Sequence, residues 1–108
     1  MNPILATLTA QFNRIGPASV KAGGKVYNRQ GGVYDNATGI IRFDFVGRKQ
    51  RGAMIADKVV VAVGYDACAD LYNVKIEHFD GASFAVKTIK ALDGVYAESF
   101  ADVASWVN

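Results

Sequence analysis

Residues 71–81, LYNVKIEHFDG, contain the pattern that decides the fold. Within Leu71–Phe79, large side chains alternate with polar ones from Tyr72 to His78, and successive residues of a strand point to opposite faces of a sheet. This period of two predicts a β-strand with one buried face. Asp80-Gly81 follows at once, and Asp-Gly between two apolar runs is a strong hairpin signal. An antiparallel partner strand is therefore expected directly afterwards.

Four more segments around this strand have the composition of strands. They are Gly23–Tyr34 with a break or bulge at Gly31-Gly32, Ile40–Val46, Val59–Val63 and Phe84–Leu92. The Val59–Val63 run is β-branched and uninterrupted, which predicts a central strand buried on both faces. A turn at Asp35–Gly39 joins the first two segments, because Asp, Asn and Gly supply turn hydrogen bonds and positive φ.

Helices are expected at both ends of the chain. Asn2 and Pro3 suit a helix start, apolar residues then recur at helical spacing, and Gly16-Pro17 ends the run. Ser99 can cap a short C-terminal helix. The order of elements predicts an α+β fold: a five-stranded, mainly antiparallel meander with the N-terminal and C-terminal helices packed on it, in one domain over residues 1–108.

Composition favours an ordinary globular protein of the cytoplasm. The 108 residues are 51% hydrophobic and 20% charged, and the one cysteine, Cys68, has no partner for an internal disulfide. No stretch approaches the roughly 20 apolar residues of a membrane span. The N-terminus lacks the charged start of a signal peptide. We therefore expect a soluble, cytoplasmic protein with no membrane partner.

The residues that catalysis usually requires are sparse. His78 is the only histidine, so no histidine pair can bind a metal, and Cys68 is not part of a nucleophile motif. The Gly23-Gly24-Lys25 segment lacks the remaining residues of a phosphate-binding loop. We accordingly expect no catalytic residue, no cofactor and no metal site. A small enzyme or ligand-binding domain without a recognisable motif stays open as an alternative.

The strongest functional signal is a basic segment between two glycines, Gly47–Gly52. Its candidate partner-binding residues, together with one from the preceding strand, are Arg42, Arg48, Lys49, Gln50 and Arg51. Three cations at a hairpin tip can contact phosphates or carboxylates, and arginine can hold two oxygens at once. Lys25 and Arg29 could extend the patch, and Tyr27 and Tyr34 could stack on single-stranded bases.

The charge is also uneven along the chain. Residues 1–54 contain eight basic and two acidic side chains, and residues 55–108 contain four basic and eight acidic ones. Such asymmetry indicates a charged partner.

Two short segments near the C-terminus resemble small proteins encoded by bacteriophages. They are Asp70–Val74 (DLYNV) and Asp93–Glu98 (DGVYAE), which precede the terminal helix. The resemblance covers about the last 40 residues. It implies a small protein that acts in the host cytoplasm by binding a macromolecule, for example as an inhibitor of a defence system.

Three functions are therefore open. The first is a non-enzymatic module that binds a protein partner, the second is a nucleic-acid-binding module that uses residues 47–52, and the third is the enzyme or ligand-binding domain. An open sheet also has two edges, through which a homodimer could form.

Overall fold

A computed structural model of the chain describes residues 3–35 and 37–107. One antiparallel sheet contains six strands in sequence order. It is the predicted meander, but it has one strand more than the five that the sequence predicted. The elements are α1 Pro3–Ile15, β1 Ser19–Ala22, β2 Lys25–Asp35, β3 Ile40–Val46, β4 Lys58–Asp66, β5 Leu71–Phe79, β6 Val86–Val95, a 3₁₀ helix Ala97–Asp102 and α2 Val103–Val107. The α+β class is confirmed, and the predicted number of five strands is wrong.

The sheet is curled, and its concave face holds the core. The C-terminal helix α2 contacts both β1 and β6, so the first and last strands bend towards the same helix. Helix α1 inserts Leu8 and Phe12, which are fully buried, and the Phe12 ring stacks on Phe43 at 3.9 Å between centroids. Burying such side chains stabilises the fold by roughly 1.5–3 kcal/mol each. The helices therefore cover one face, and the convex face stays open to solvent.

Strand β1 is the element that the sequence prediction missed. It has four residues, and only Val20 is buried, so its alternation is too short to stand out. Gly23 and Gly24 both have positive φ, 58° and 77°, as a two-residue hairpin turn requires. We expected these two glycines to begin a strand, whereas they join β1 to β2.

Three local expectations need correction. Strand β4 alternates buried and half-exposed residues, so Val59–Val63 is buried on one face only, because no helix covers the convex side. Strand β6 continues through Asp93-Gly94 to Val95, with a register shift in its pairing to β5 at this point. The C-terminal segment begins as a 3₁₀ helix after Tyr96, not as an α-helix capped by Ser99.

Other local expectations are confirmed. The β2–β3 register shifts between Arg29 and Gly32, so the expected bulge is present, at Gln30-Gly31, one residue before the predicted Gly31-Gly32. The turn after β2 is closed by a hydrogen bond from Gly39 N to Asp35 O at 2.8 Å. Helix α1 ends before Gly16-Pro17. The expected cap Asn2 lies outside the described residues.

Candidate functional site

The basic segment lies in a loop of residues 47–57 between β3 and β4, called the basic loop below. It is longer than the tight hairpin tip that the sequence indicated, and its two ends are joined by backbone hydrogen bonds. Gly47 N donates to Asp57 O at 2.8 Å, and Asp57 N donates to Arg48 O at 3.4 Å. Ala53 N also donates to Gln50 O at 3.0 Å. These backbone hydrogen bonds hold the two ends of the loop together.

Asp57 anchors the basic loop to the β5–β6 turn, residues 80–85. Its side chain is 4% exposed, and a buried carboxylate needs hydrogen-bond donors. Its Oδ1 accepts hydrogen bonds from Gly81 N at 2.7 Å and from Gln50 Nε2 at 2.8 Å. The same Gln50 amide donates to Asp80 Oδ1 at 3.1 Å. Gln50, one of the predicted partner contacts, therefore links the two loops to each other.

Asp80 organises the β5–β6 turn. Backbone N–H groups of Ser83 and Ala82 donate to its Oδ1 at 3.1 and 2.8 Å. These hydrogen bonds favour the charged form, so they lower the pKa of Asp80, with a smaller contribution from Gln50. The turn thus offers an ionised carboxylate to the Gln50 amide.

The two loops also touch through their backbones. A Cβ atom placed on Gly81 would lie 2.1 Å from Ile55 O and 2.9 Å from Ala56 C, which no side chain can tolerate. Glycine at this position allows the close approach that the Asp57 hydrogen bonds require. The basic loop and the β5–β6 turn therefore form one cross-linked unit, which we call the loop platform (residues 47–57 and 80–85).

The platform exposes three cations. Arg48, Lys49 and Arg51 are exposed, and none has a carboxylate oxygen within 4 Å in the part of the chain that the structure describes. Three of the five predicted site residues are therefore brought together with unpaired charge.

Arg42 lies apart from these cations, on the convex face of β3. Its Nε is 3.5 Å from Asp44 Oδ1, so its charge is largely neutralised.

Large apolar side chains are exposed on the platform and on the strand ends that adjoin it. Phe84 is 55% exposed and Met54 is 83% exposed, and the Phe84 ring lies 5.9 Å from the ring of Phe79. Ile55, Phe79 and Val86 line a groove of about 280 Å³ on the convex face, which Arg42 borders. We call Met54, Ile55, Phe79, Phe84 and Val86 the apolar patch.

Phe84 also has an unusual backbone. Its φ is +60°, in the left-handed region where bulky side chains are rare. Holding a non-glycine residue there costs about 1–2 kcal/mol. A strained backbone that presents an exposed aromatic ring does not serve stability, which makes Phe84 a candidate binding residue.

Other residues that could have extended the basic segment are committed to the fold. Arg29 donates to Phe12 O at 2.9 Å and to Asn13 O at 3.4 Å, so its guanidinium caps the end of α1. Tyr27 is 2% exposed, and its hydroxyl lies 3.0 Å from His78 Nε2. Its ring is therefore not available for stacking on a base.

Within residues 3–35 and 37–107, no three His, Cys, Asp or Glu side chains are placed to hold a metal ion. None of the described helices has the length and apolar character needed to cross a membrane. Asp66 Oδ1 accepts hydrogen bonds from Cys68 N and Ala69 N in its own turn.

Sequence reasoning missed Asp57 and the apolar patch. Asp57 is one of ten acidic residues, and nothing in its neighbours signals burial. Phe84 and Met54-Ile55 did carry a signal, since each places large apolar residues next to turn residues.

The chain matches no protein-family model, no curated protein and no solved structure.

Proposed function

We propose that this chain is a non-enzymatic binding protein that docks an acidic protein surface on the loop platform and the apolar patch. One observation carries the proposal: three unpaired cations and an exposed aromatic ring lie on two loops that are fixed to each other. Arginine and aromatic residues are enriched at the centres of protein interfaces. Acidic partner residues would complement Arg48, Lys49 and Arg51.

The rigidity of the platform supports the same function. A flexible loop loses conformational entropy when it binds, whereas a preorganised one loses little. The Asp57 carboxylate and the glycine at position 81 fix the platform before any partner arrives. If the chain has the origin that its resemblance to bacteriophage proteins implies, the partner is a host protein whose surface the platform covers.

A nucleic acid is the second candidate, because Lys25, Arg48 and Lys49 line one groove of about 550 Å³. Cations along a groove can follow a phosphate backbone. The aromatic residue of this groove, Tyr27, is buried and cannot stack on a base. This feature favours the acidic protein partner over nucleic acid.

Selection from a random-peptide display library tests the proposal. We expect the selected peptides to be rich in Asp and Glu and to contain a large apolar residue. Their binding should weaken at least about tenfold in R48A/K49A/R51A, since charge-assisted hydrogen bonds contribute roughly 1.5–3 kcal/mol each. F84G should also weaken it, because it removes an aromatic ring that the partner would bury. The matched control K21A/K75A/K90A removes the same charge from β1, β5 and β6 and should bind normally.

Fluorescence anisotropy with a single-stranded and a duplex oligonucleotide separates the two candidates. Submicromolar, salt-dependent binding of either oligonucleotide that R48A/K49A/R51A abolishes would favour the nucleic acid. Selected peptides without acidic residues, or peptides whose affinity neither variant changes, would refute the acidic protein partner.

A further inference from the structure

The concave face of the sheet has a polar end, which the proposed function does not use. There the Tyr27 ring extends from β2 across the sheet, and its hydroxyl lies 3.0 Å from Nε2 of His78 on β5. The two rings meet edge to face, with centroids 5.9 Å apart and planes at 88°. A Cβ atom on Gly47 would lie 2.6 Å from the Tyr27 ring, so glycine at position 47 leaves the space that the ring occupies.

The Tyr27 phenol is protonated at neutral pH. Its pKa is raised above the usual value mainly by burial, and the negative charges of Asp57 and Asp80 add to this. The hydroxyl and the Nε2 atom of His78 share one hydrogen bond. Tyr27 therefore fixes the orientation of the imidazole.

Two lysines flank this pair on the same face. Lys87 lies directly opposite His78 in the β5–β6 ladder, and directly opposed residues share a face with Cβ atoms about 4.5–5.5 Å apart. Lys25 lies two residues before Tyr27 on β2, so these two also share a face. Neither lysine has a carboxylate oxygen within 4 Å among the residues described.

These side chains line a shallow cavity of about 400 Å³ that is open to solvent. Its volume falls within the roughly 300–1,000 Å³ typical of small-molecule sites. The wall combines the two lysines, Tyr27 and His78 with Thr88 and with the apolar side chains of Ala22, Ile89 and Val107. No carboxylate belongs to this described lining, so its charge is positive only.

We propose that the cavity binds a small organic anion. A phosphate or carboxylate group lies between Lys25 and Lys87, where two ammonium groups provide charge-assisted hydrogen bonds. The imidazole of His78 lies beside Lys87, and the apolar body of the ligand contacts Ile89 and Val107. Two unpaired cations on one concave, partly apolar wall have no evident role in stabilising the fold, because like charges repel.

An NMR titration of the full chain tests the site with three probes of similar shape: phenyl phosphate, benzoate and benzyl alcohol. We expect saturable amide shifts around residues 25–27, 78 and 87–89 with the two anions and not with the alcohol. The anion that binds more tightly identifies the charged group. K25A/K87A should weaken binding at least about tenfold, whereas K21A/K75A, which removes the same charge from the convex face, should not.

Two outcomes would overturn the inference. One is a set of anion shifts that follows residues 48–51 or scatters over the convex face. The other is an equal loss of affinity in K25A/K87A and K21A/K75A, since this would mean that only total charge matters. Both variants replace exposed lysines, so unfolding does not mask the result.

Discussion

Substitutions of Phe84 test the backbone strain at this position, because glycine relieves the strain and alanine does not. At φ +60° a glycine avoids the penalty of about 1–2 kcal/mol that a residue with a Cβ atom carries. Glycine loses about 0.5–1 kcal/mol through its greater freedom in the unfolded chain. We therefore expect Phe84→Gly to be more stable than Phe84→Ala by about 1 kcal/mol.

Both substitutions remove the same partly buried ring. Its 55% exposure means that under half of its surface is buried, and full burial of phenylalanine is worth roughly 1.5–3 kcal/mol. Either variant thus loses about 1 kcal/mol of burial, and the glycine recovers part of it through relief of strain. Phe84→Gly should end within about 1 kcal/mol of the wild-type protein.

Urea unfolding measures the difference between the two variants. With an m-value of about 1–3 kcal/mol/M, a gap of 1 kcal/mol shifts the midpoint by about 0.3–1 M. Val86 provides the matched control, because it is 58% exposed and lies in the extended strand β6. There alanine should be more stable than glycine. If alanine equals or exceeds glycine at position 84 as well, the reasoning from backbone strain is refuted.

Three further substitutions test the platform and the polar end of the sheet. Gly81→Ala should destabilise by about 1–3 kcal/mol in urea because its Cβ would meet Ile55 O at 2.1 Å, whereas Gly31→Ala, which meets nothing within 4 Å, should stay within about 0.5 kcal/mol. Because the pKa of Asp80 is lowered in the folded protein, this residue adds stability above its unfolded pKa of about 4, and the added stability is lost as the pH falls through the folded pKa. Asp80→Asn should therefore make the urea midpoint less dependent on pH on the acid side. An unchanged dependence would contradict this. Tyr27→Phe should lower the free energy of unfolding by about 1 kcal/mol, since it removes a hydrogen bond to the imidazole, and an unchanged urea midpoint would argue against that bond.

The strands that the sequence predicted are those with enough residues to show a period. The alternation over Leu71–Phe79 matches β5 residue for residue, and Ile40–Val46 matches β3. Strand β1 could not be found in this way, because its four residues contain one buried side chain. The Gly23-Gly24 pair was the available signal, since two glycines between short extended runs indicate a hairpin turn.

The candidate site was predictable only in its charges. Arg48, Lys49 and Arg51 are adjacent in sequence, and a loop between glycines is exposed. The partners of Gln50 lie 7 and 30 residues away, at Asp57 and Asp80, and no local pattern encodes such contacts. The sequence therefore predicted that Gln50 contacts a partner. In the structure its amide joins two loops of the chain itself.

The β6 edge of the sheet and the loop platform differ in how well they are protected against association with another chain. Strand β6 is irregular where it pairs with β5, with register shifts between Tyr72 and Val74 and between Ile76 and Glu77, and it carries the exposed lysines 87 and 90. Irregular pairing and lysines on an edge strand discourage a second strand from adding to the sheet. No comparable protection covers Phe84 and Met54, whose apolar surface faces solvent on the platform that also carries the unpaired cations. A homodimer through the β6 edge therefore has less physical support than a partner on the platform, because that edge discourages association and the platform does not.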